Sequence, residues 1–286
     1  MKISVELPVA QPDAIQTCAL AIEDAGFDAC FVTDHPAPSR EWMAHGGHQT
    51  LDPFVALSFA ASATTKLKLH TNCLVPAYRE PLASAKAIAT LDAMSRGRLI
   101  LGVAVGYLEA EFEALGVSFA RRAERFDETL ATMKTVWADL LPNNVVLPKP
   151  AQQPHPPIWV GGNTGAAMRR VVQFGNGWSP FPASRGMAAA VDTAAIADVV
   201  SLSYAIQRLK TMMREAGRKD DLDICFTPFG HPGHKNVVDP DGFAIEARDL
   251  AEAGVTWLAF HLPAPTVNDF CDVVREFGVA IAGRMP

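Results

Sequence analysis

The 286-residue sequence has few cysteines, and no two of them form a C-x-x-C pair. This absence excludes the usual sequence signature of a zinc or dithiol redox centre. We interpret an odd, scattered set as reduced thiols that mostly pack in the core. The five are Cys18, Cys30, Cys73, Cys225 and Cys271.

The chain also lacks basic runs and a long uncharged apolar stretch. With a net charge of −6, pI near 5.7 and no Lys/Arg-rich run, it is not expected to bind nucleic acid. The apolar run Met187–Tyr204 carries two aspartates, so it predicts a buried amphipathic helix rather than a membrane span. The start, MKISVELP, enters a strand without an apolar leader, which predicts a cytoplasmic protein that does not bind membranes.

A repeated pattern supplies the fold prediction. A helix ends in an apolar residue and Gly, and a short strand follows, as in AGFDACFVTDHP, SRGRLILGVAVG, FGNGWSPFP and AGVTWLAFHLP. Gly26, Gly97, Gly175 and Gly254 lie where a helix must turn sharply into a strand, which glycine does at least cost. A chain of this length, 49% hydrophobic, suits a single α/β domain over 1–286.

Eight strand–helix units favour a closed (β/α)8 TIM barrel over an open sheet. An open doubly wound sheet usually has a Gly-rich dinucleotide turn after its first strand, whereas Pro8–Pro12 follows here. Helices such as Ile15–Ala25 and Phe243–Ala253 have period-3.6 apolar spacing. The strands are predicted at about 3–7, 29–33, 67–71, 99–105, 157–160, 177–180, 222–226 and 256–260.

Two segments depart from this alternation. Leu140–Pro157 is rich in Pro and Asn and cannot be helical, so we interpret it as a short excursion before strand 5, with a hairpin as one option. Thr227–Pro240 follows strand 7 and contains HPGH. Both are expected near a barrel rim.

The chemistry is expected at the carboxyl ends of the strands, where barrel enzymes place their active sites. Asp34-His35-Pro36 follows strand 2, where a histidine can move a proton and the adjacent Asp34 can steer it. Asn72-Cys73 follows strand 3. Cys73 has no His or Lys beside it in sequence, so we predict a packed thiol rather than a nucleophile.

A glycine pair follows strand 5. Gly161-Gly162-Asn163-Thr164 opens the helix Gly165–Phe174, and exposed N–H groups at a helix start can hold a phosphate. The alternative is a tight turn with Asn163 or Thr164 as the N-cap.

Histidine pairs occur in two loops, His45 with His48 and His231 with His234. Both lie in flexible glycine loops without cysteine or carboxylate partners, so no metal site is predicted. We interpret Trp42, His45 and His48 as a loop that lines the substrate.

Three stretches carry a family resemblance: TNCLVPAYREPLASAKAIATLDAMSRGRLILGVAVGYLEAEFEALGV, RRAERFDETL and PPIWVGGNTGAAMRRVVQFGNGW. Together they resemble the bacterial luciferase-like flavin and deazaflavin oxidoreductases, and most closely the branch that uses coenzyme F420. The resemblance spans nearly the whole chain. It implies a (β/α)8 barrel with the cofactor ring across the carboxyl ends of the strands, and a homodimer.

The resemblance also implies site residues. His35 would lie near the reactive face of the ring beside Asp34, and Asn72-Cys73 would form a bulged, non-prolyl cis peptide behind it. Gly106 would allow close approach to the cofactor, and Gly161 and Gly162 would hold its phosphate. The implied cofactor-binding set is Asp34, His35, Asn72, Cys73, Gly106, Tyr107, Val160, Gly161, Gly162, Asn163, Ser179 and Pro180.

One departure bears on the substrate. Sugar-phosphate dehydrogenases of this family carry an acid after the glycine, where this chain has Tyr107. Glu109 and Glu111 lie on the next helix and are expected to point elsewhere, which disfavours a sugar phosphate.

The main functional hypothesis is hydride transfer between C5 of coenzyme F420 and a small organic substrate, with His35 and Asp34 as catalytic residues. The alternatives are an FMN-dependent luciferase-like monooxygenase and a non-catalytic flavin- or deazaflavin-binding protein. A sugar-phosphate isomerase or aldolase ranks last, because Glu6 is its only obvious strand-end acid.

Overall fold

Eight parallel strands close into a barrel in the computed structural model, which describes residues 1–8, 11–230 and 238–286. Each strand pairs in parallel with its sequence neighbours, and β8 pairs with β1, so the predicted (β/α)8 barrel is confirmed. The strands are β1 Lys2–Glu6, β2 Ala29–Val32, β3 Lys68–Leu74, β4 Leu99–Val103, β5 Ile158–Gly161, β6 Gly177–Ser179, β7 Asp223–Phe226 and β8 Trp257–Phe260.

Helices lie between the strands. Those of the described residues are α1 Ile15–Asp24, α2 Arg40–Ala44, α3 Pro53–Ala63, α4 Pro81–Met94, α5 Glu109–Ala114, α6 Arg122–Trp137, α7 Gly165–Phe174, α8 Arg185–Ala190, α9 Val199–Glu215, α10 Pro240–Ala253 and α11 Val267–Ile281.

Helix α4 illustrates how the sequence sets these boundaries. Pro81 occupies the first helical turn, where its missing N–H costs nothing, and the Glu80 carboxylate accepts a hydrogen bond from the Ala83 N–H at 2.7 Å. The helix ends because Gly97 takes φ +78° and donates its N–H to the Asp92 carbonyl at 2.8 Å. The chain then enters β4, whose five residues are all buried.

Side chains alternate between the barrel interior and the surrounding helices. On β1, Ser4 Oγ lies 3.4 Å from Nδ1 of the buried His70 on β3, so Ser4 faces the interior. Ile3 and Val5 pack in the large core between barrel and helices. Glu6, two residues after Ser4, therefore faces the interior at the carboxyl end of β1.

The prediction of one helix over Met187–Tyr204 is wrong. The short helix α8 ends at Ala190, and α9 begins only at Val199. The reason lies at Asp198, whose carboxylate accepts the Ser201 N–H while the Ser201 hydroxyl accepts the Asp198 N–H. This reciprocal capping box marks a helix start, and it outweighs the apolar composition of the run.

The Pro-rich excursion contains turns and bends and no strand, so the hairpin option is wrong. It docks through Gln152, whose backbone N–H and side-chain amide donate to the buried Asp92 carboxylate at 2.9 and 2.7 Å. Because Asp92 lies near the end of α4, the excursion covers the rim opposite the carboxyl ends of the strands.

Within the described ranges, no helix combines the length and apolar character needed to cross a membrane.

Candidate functional site

The barrel brings the predicted site residues to one end. Asp34, Asn72, Gly106 and Gly162 each lie at or just past the carboxyl end of a different strand, β2 to β5. Because parallel strands of a closed barrel all end on the same side, these residues surround one opening, which we call the mouth.

His35 is bonded to a buried glutamate at this mouth. Its Nδ1 lies 3.0 Å from Oε2 of Glu111, whose side chain is 1% exposed. The Glu111 carboxylate also accepts hydrogen bonds from the Tyr78 hydroxyl at 3.0 Å and from the Ala37 N–H at 3.2 Å. Since a carboxylate only accepts, Nδ1 of His35 carries the proton, and Nε2 is left for a ligand.

The expectation that Glu111 points elsewhere is therefore wrong. Glu111 lies in the first turn of α5, and its side chain reaches back to His35 at the end of β2. The acid that is missing at Tyr107 is thus supplied by Glu111, four residues further along the chain. The lack of an acid directly after Gly106 therefore no longer disfavours a sugar phosphate.

We expected Asp34 to steer the His35 ring, but the Asp34 side chain is bonded to other residues. Its buried carboxylate accepts two hydrogen bonds from Arg79, at 2.6 and 2.8 Å, and one from the Val75 N–H at 2.9 Å. Neighbouring residues after a strand point to opposite sides, which separates Asp34 from the His35 ring. The pair holds the segment after β3 against the end of β2.

Three rings lie near the His35 ring, and together with it they form what we call the ring cluster: His35, Trp42, His48 and Tyr107. The His35 ring centroid lies 4.7 Å from that of Trp42, 5.3 Å from that of His48 and 5.9 Å from that of Tyr107. His48 is also hydrogen-bonded to Thr33 Oγ1 at 3.2 Å. Burial is the main cause that lowers the pKa of His48.

His45 does not join the ring cluster. Its Nδ1 donates to the Glu41 carbonyl at 2.8 Å, at the exposed end of α2. Of the predicted substrate loop, Trp42 and His48 therefore lie at the mouth, and His45 lies apart from it.

The peptide bond Asn72-Cys73 is cis and not prolyl, and the register of β3 against β4 shifts between Thr71 and Leu74. Both features match what the family resemblance implies. Burial raises the pKa of the Cys73 thiol to about 12, which agrees with a packed thiol. Its Sγ would lie 3.0 Å from a Cβ added at Gly161, so a small residue is required there.

The backbone conformation and the packing around position 106 both require a glycine there. It takes φ +87°, and an added Cβ would lie 2.9 Å from the Phe112 ring and 3.0 Å from Val75 Cγ1. Close approach to a cofactor is not needed to explain this glycine.

Hydrogen bonds of the Asn163 side chain stabilise the turn after β5. Its side-chain NH2 donates to the carbonyls of Phe181 and Ala194, and its Oδ1 accepts the Phe181 N–H at 3.0 Å. The N-cap of α7 is Thr164, which accepts the Ala167 N–H at 3.1 Å. The Asn163 amide is thus occupied within the protein.

The side chains of Val160 and Ser179, two residues of the predicted cofactor-binding set, pack within the protein. Val160 packs in the core outside the barrel, because Trp159 before it faces the interior. Ser179 is 8% exposed and hydrogen-bonds the Cys225 thiol, and Pro180 is buried beside it.

Two arginines that sequence reasoning missed lie at the start of α7. A Cβ added at Gly165 would be 3.3 Å from Nη2 of Arg208 and 3.8 Å from Nη1 of Arg169. Neither arginine forms an ion pair with a carboxylate of the described chain. Helix N–H groups with two free guanidinium groups suit a phosphate.

Glu6 also lies at the mouth, and it has no hydrogen-bond or ion-pair partner among the described residues. Burial raises the pKa of its carboxyl to about 7. An unpaired interior carboxyl is costly and is commonly found where a ligand completes the site.

His231 and His234 lie outside the described residues. Elsewhere in the described chain, no group of three or more His, Cys, Asp or Glu side chains is arranged to hold a metal ion.

The mouth of this (β/α)8 barrel thus combines a histidine–glutamate pair, a ring cluster and a basic helix start. The luciferase-like monooxygenase family model matches residues 2–235, and the chain belongs to that family. Members of this family are oxidoreductases and monooxygenases. An uncharacterized protein of Mycobacterium tuberculosis, Rv0953c, is 30% identical over 283 residues, covering 91% of each chain.

Solved structures agree with this fold. The monooxygenase RslO1 from Streptomyces bottropensis superposes with a TM-score of 0.80 at 20% identity, over 99% of each chain. An F420-dependent secondary alcohol dehydrogenase in complex with an F420–acetone adduct gives 0.78 at 18% identity, over 98% of each chain.

Proposed function

We propose that the chain is a coenzyme F420-dependent oxidoreductase that acts on a small organic substrate. The observation that carries this proposal is the bond between His35 and the buried Glu111 at the mouth. It leaves one imidazole nitrogen fixed in place and able to exchange a proton.

The residues of the mouth have different roles in this reaction. When bound, the deazaflavin supplies or accepts the hydride at its C5. His35 Nε2 takes the proton of a substrate hydroxyl or returns it, and Glu111 stabilises the imidazolium that forms. Tyr78 stays a neutral donor to Glu111, because burial and the nearby carboxylate raise its pKa.

Other residues would hold the cofactor. The turn at Gly161 and Gly162, the first N–H groups of α7 and the guanidinium groups of Arg169 and Arg208 would hold the phosphate of its tail. Asn72 and Cys73 would lie against the ring. Asp34 contributes by positioning, through Arg79.

An FMN-dependent monooxygenase is the second candidate, since FMN also carries a phosphate that this helix start suits. The fold shared with RslO1 is equally compatible with it. A third candidate, a non-catalytic carrier, predicts cofactor binding without any turnover. We also propose a homodimer, supported by the exposed apolar residues Val55 and Phe59 on α3.

Titration of cofactor-free protein with coenzyme F420 and with FMN tests the proposal. Binding is followed by the change in cofactor fluorescence, and we expect coenzyme F420 to bind at least tenfold more tightly. Tight binding of FMN alone would replace our proposal with the monooxygenase.

His35→Ala is expected to reduce turnover by 10²–10⁴-fold with cofactor affinity retained, the typical cost of losing a general acid–base group. Turnover is measured as absorbance loss of coenzyme F420 with a panel of alcohols, or as its return with activated alkenes and ketones. His45→Ala is the matched control, because His45 lies in the same loop but faces away. Equal turnover in both variants would remove His35 from the reaction.

A further inference from the structure

Glu6 occupies a defined level in the barrel. Interior side chains of a (β/α)8 barrel form layers, each made by alternate strands. Ser4 and His70 lie in one layer, since Ser4 Oγ and His70 Nδ1 are 3.4 Å apart. Two residues further along each strand come Glu6 and Asn72. The Glu6 carboxyl thus lies in the last interior layer below the mouth, at the level of the Asn72-Cys73 peptide.

Two charged groups near this level, Arg79 and Glu111, are already paired with other residues. Arg79 gives both ends of its guanidinium group to Asp34. Glu111 has three donors, from His35, Tyr78 and Ala37. In the part of the chain that the structure describes, the Glu6 side chain has neither an ion pair nor a hydrogen bond, so its ionised form lacks a counter-charge.

Aromatic rings also lie at the mouth. Trp42 and Tyr107 belong to the ring cluster, and Tyr107 is 46% exposed at the open side of the mouth. Burial and the Glu111 charge keep Tyr107 neutral by raising its pKa. The faces of such rings attract cations, so the walls and the unpaired carboxyl favour the same sign of charge.

We propose that Glu6 is a specificity-determining residue that binds a positively charged nitrogen of the substrate. This inference rests on the proposed function, in which a small organic molecule enters the mouth. It names the substrate class as organic cations: protonated amines, iminium ions or N-alkylated heteroaromatic rings. Anionic substrates such as sugar phosphates would meet an uncompensated carboxylate at this point.

Ionisation of Glu6 gives the proposal a measurable signature. A cation binds the carboxylate form, so its apparent affinity follows the ionised fraction. With a pKa of about 7, this fraction rises about tenfold between pH 6 and pH 8. Other groups at the mouth also titrate or carry charge: His261 after β8, His35 and His48 after β2, and Glu111 and Tyr107 after β4.

The test uses two probes of one shape, the 1-methylpyridinium cation and neutral toluene. Binding to the purified full-length protein is measured by ligand-observed NMR at pH 6, 7 and 8. We expect 1-methylpyridinium to bind about tenfold more tightly at pH 8 than at pH 6, and toluene to bind equally at all three. In Glu6→Gln the pH dependence should disappear and the cation should bind no better than toluene.

Several results would overturn the proposal. They are undetectable binding of the cation to the wild type, equal affinity for both probes, or a pH dependence that persists in Glu6→Gln and so belongs to the imidazoles. Glu6→Asp guards against misfolding of the first variant, and it should keep a weakened preference for the cation. Titration of the same samples with coenzyme F420 separates the two ideas, because a protein that binds the cofactor but not the cation refutes only this inference.

Discussion

Glu111 is the residue whose role depends most on the tertiary structure. It is 76 positions from His35 in sequence, and the intervening α4 and β4 must fold before the two side chains meet. In the sequence it is one of three glutamates in α5, all compatible with a solvent-exposed helix. Only the barrel distinguishes the buried Glu111 from the exposed Glu109.

Replacing Glu111 with Gln should release the His35 ring from a single tautomer. The amide has nearly the same shape but no charge, and its NH2 group can donate to Nδ1, which would move the imidazole proton to Nε2. We expect a 10²–10⁴-fold loss of turnover. Long-range ¹H–¹⁵N NMR of histidine-labelled protein should show the Nδ1–H form in the wild type and its loss in the variant.

Glu109→Gln is the control, since Glu109 is exposed in the same helical turn. It should leave both the turnover and the His35 tautomer as they are. A wild-type ring that is protonated at Nε2 alone would contradict the assignment.

At the scale of elements, the segments that follow β2 and β3 are joined by the bond between Asp34 and Arg79. The Asp34 side chain is 2% exposed and that of Arg79 is 19% exposed, so the pair is largely removed from water. Breaking such a pair leaves one charge uncompensated, which costs about 3–5 kcal/mol.

Asp34→Asn should therefore lower the free energy of unfolding by about 3 kcal/mol and weaken cofactor binding, because Asn72 and Cys73 lie in the segment that the pair holds. Urea unfolding and the cofactor titration measure the two effects. The control is Asp52→Asn, which loses a 3.4 Å contact to Arg79 but keeps an N-cap of α3. It should cost under about 1 kcal/mol. Equal losses in both variants would contradict a special role for Asp34.

Sequence periodicity predicted the strands and most helices, because buried strands such as β4 and glycine ends such as Gly97 are local signals. It failed at Met187–Tyr204, where apolar composition was weighed above the cap at Asp198. Asp34 and His35 follow β2 at the mouth, as predicted, but their partners Arg79 and Glu111 come from segments that follow later strands. Such pairings depend on how the barrel closes, which no local pattern records.

At the scale of the whole molecule, the two ends of the barrel differ in the pairing of their polar groups. At the amino-terminal end of the strands, Arg98 donates to the carbonyls of Ala61, Ser95 and Leu67, and it ties α3, α4 and β3 together. At the other end lie a cluster of polar rings and the Glu6 carboxyl, which has no partner within residues 1–8, 11–230 and 238–286. The carboxyl ends of the strands are where a ligand is expected to enter.

Two titratable groups of the barrel interior, the buried His70 and the half-buried Glu6, have opposite effects on stability. Burial lowers the pKa of His70 to about 3 and raises that of Glu6 to about 7. Between pH 4.5 and 6.5, unfolding makes His70 take up a proton, so this residue destabilises the fold as the pH falls. In the same range unfolding makes Glu6 release a proton, so Glu6 destabilises the fold as the pH rises. Each slope is about 1.4 kcal/mol per pH unit, and the two cancel in the wild type.

Removing either group should therefore change how the free energy of unfolding depends on pH. The free energy of unfolding of Glu6→Gln, minus that of the wild type, should increase by about 2–3 kcal/mol from pH 4.5 to 6.5, because only the His70 dependence remains. The same difference for His70→Gln should decrease over this range by a similar amount, whatever the overall cost of the substitution. Urea unfolding at five pH values measures both profiles. Parallel profiles for wild type and variants would mean that neither group is held in the protonation state that its burial imposes, and the unpaired carboxyl at the mouth would then be open to water rather than reserved for a cation.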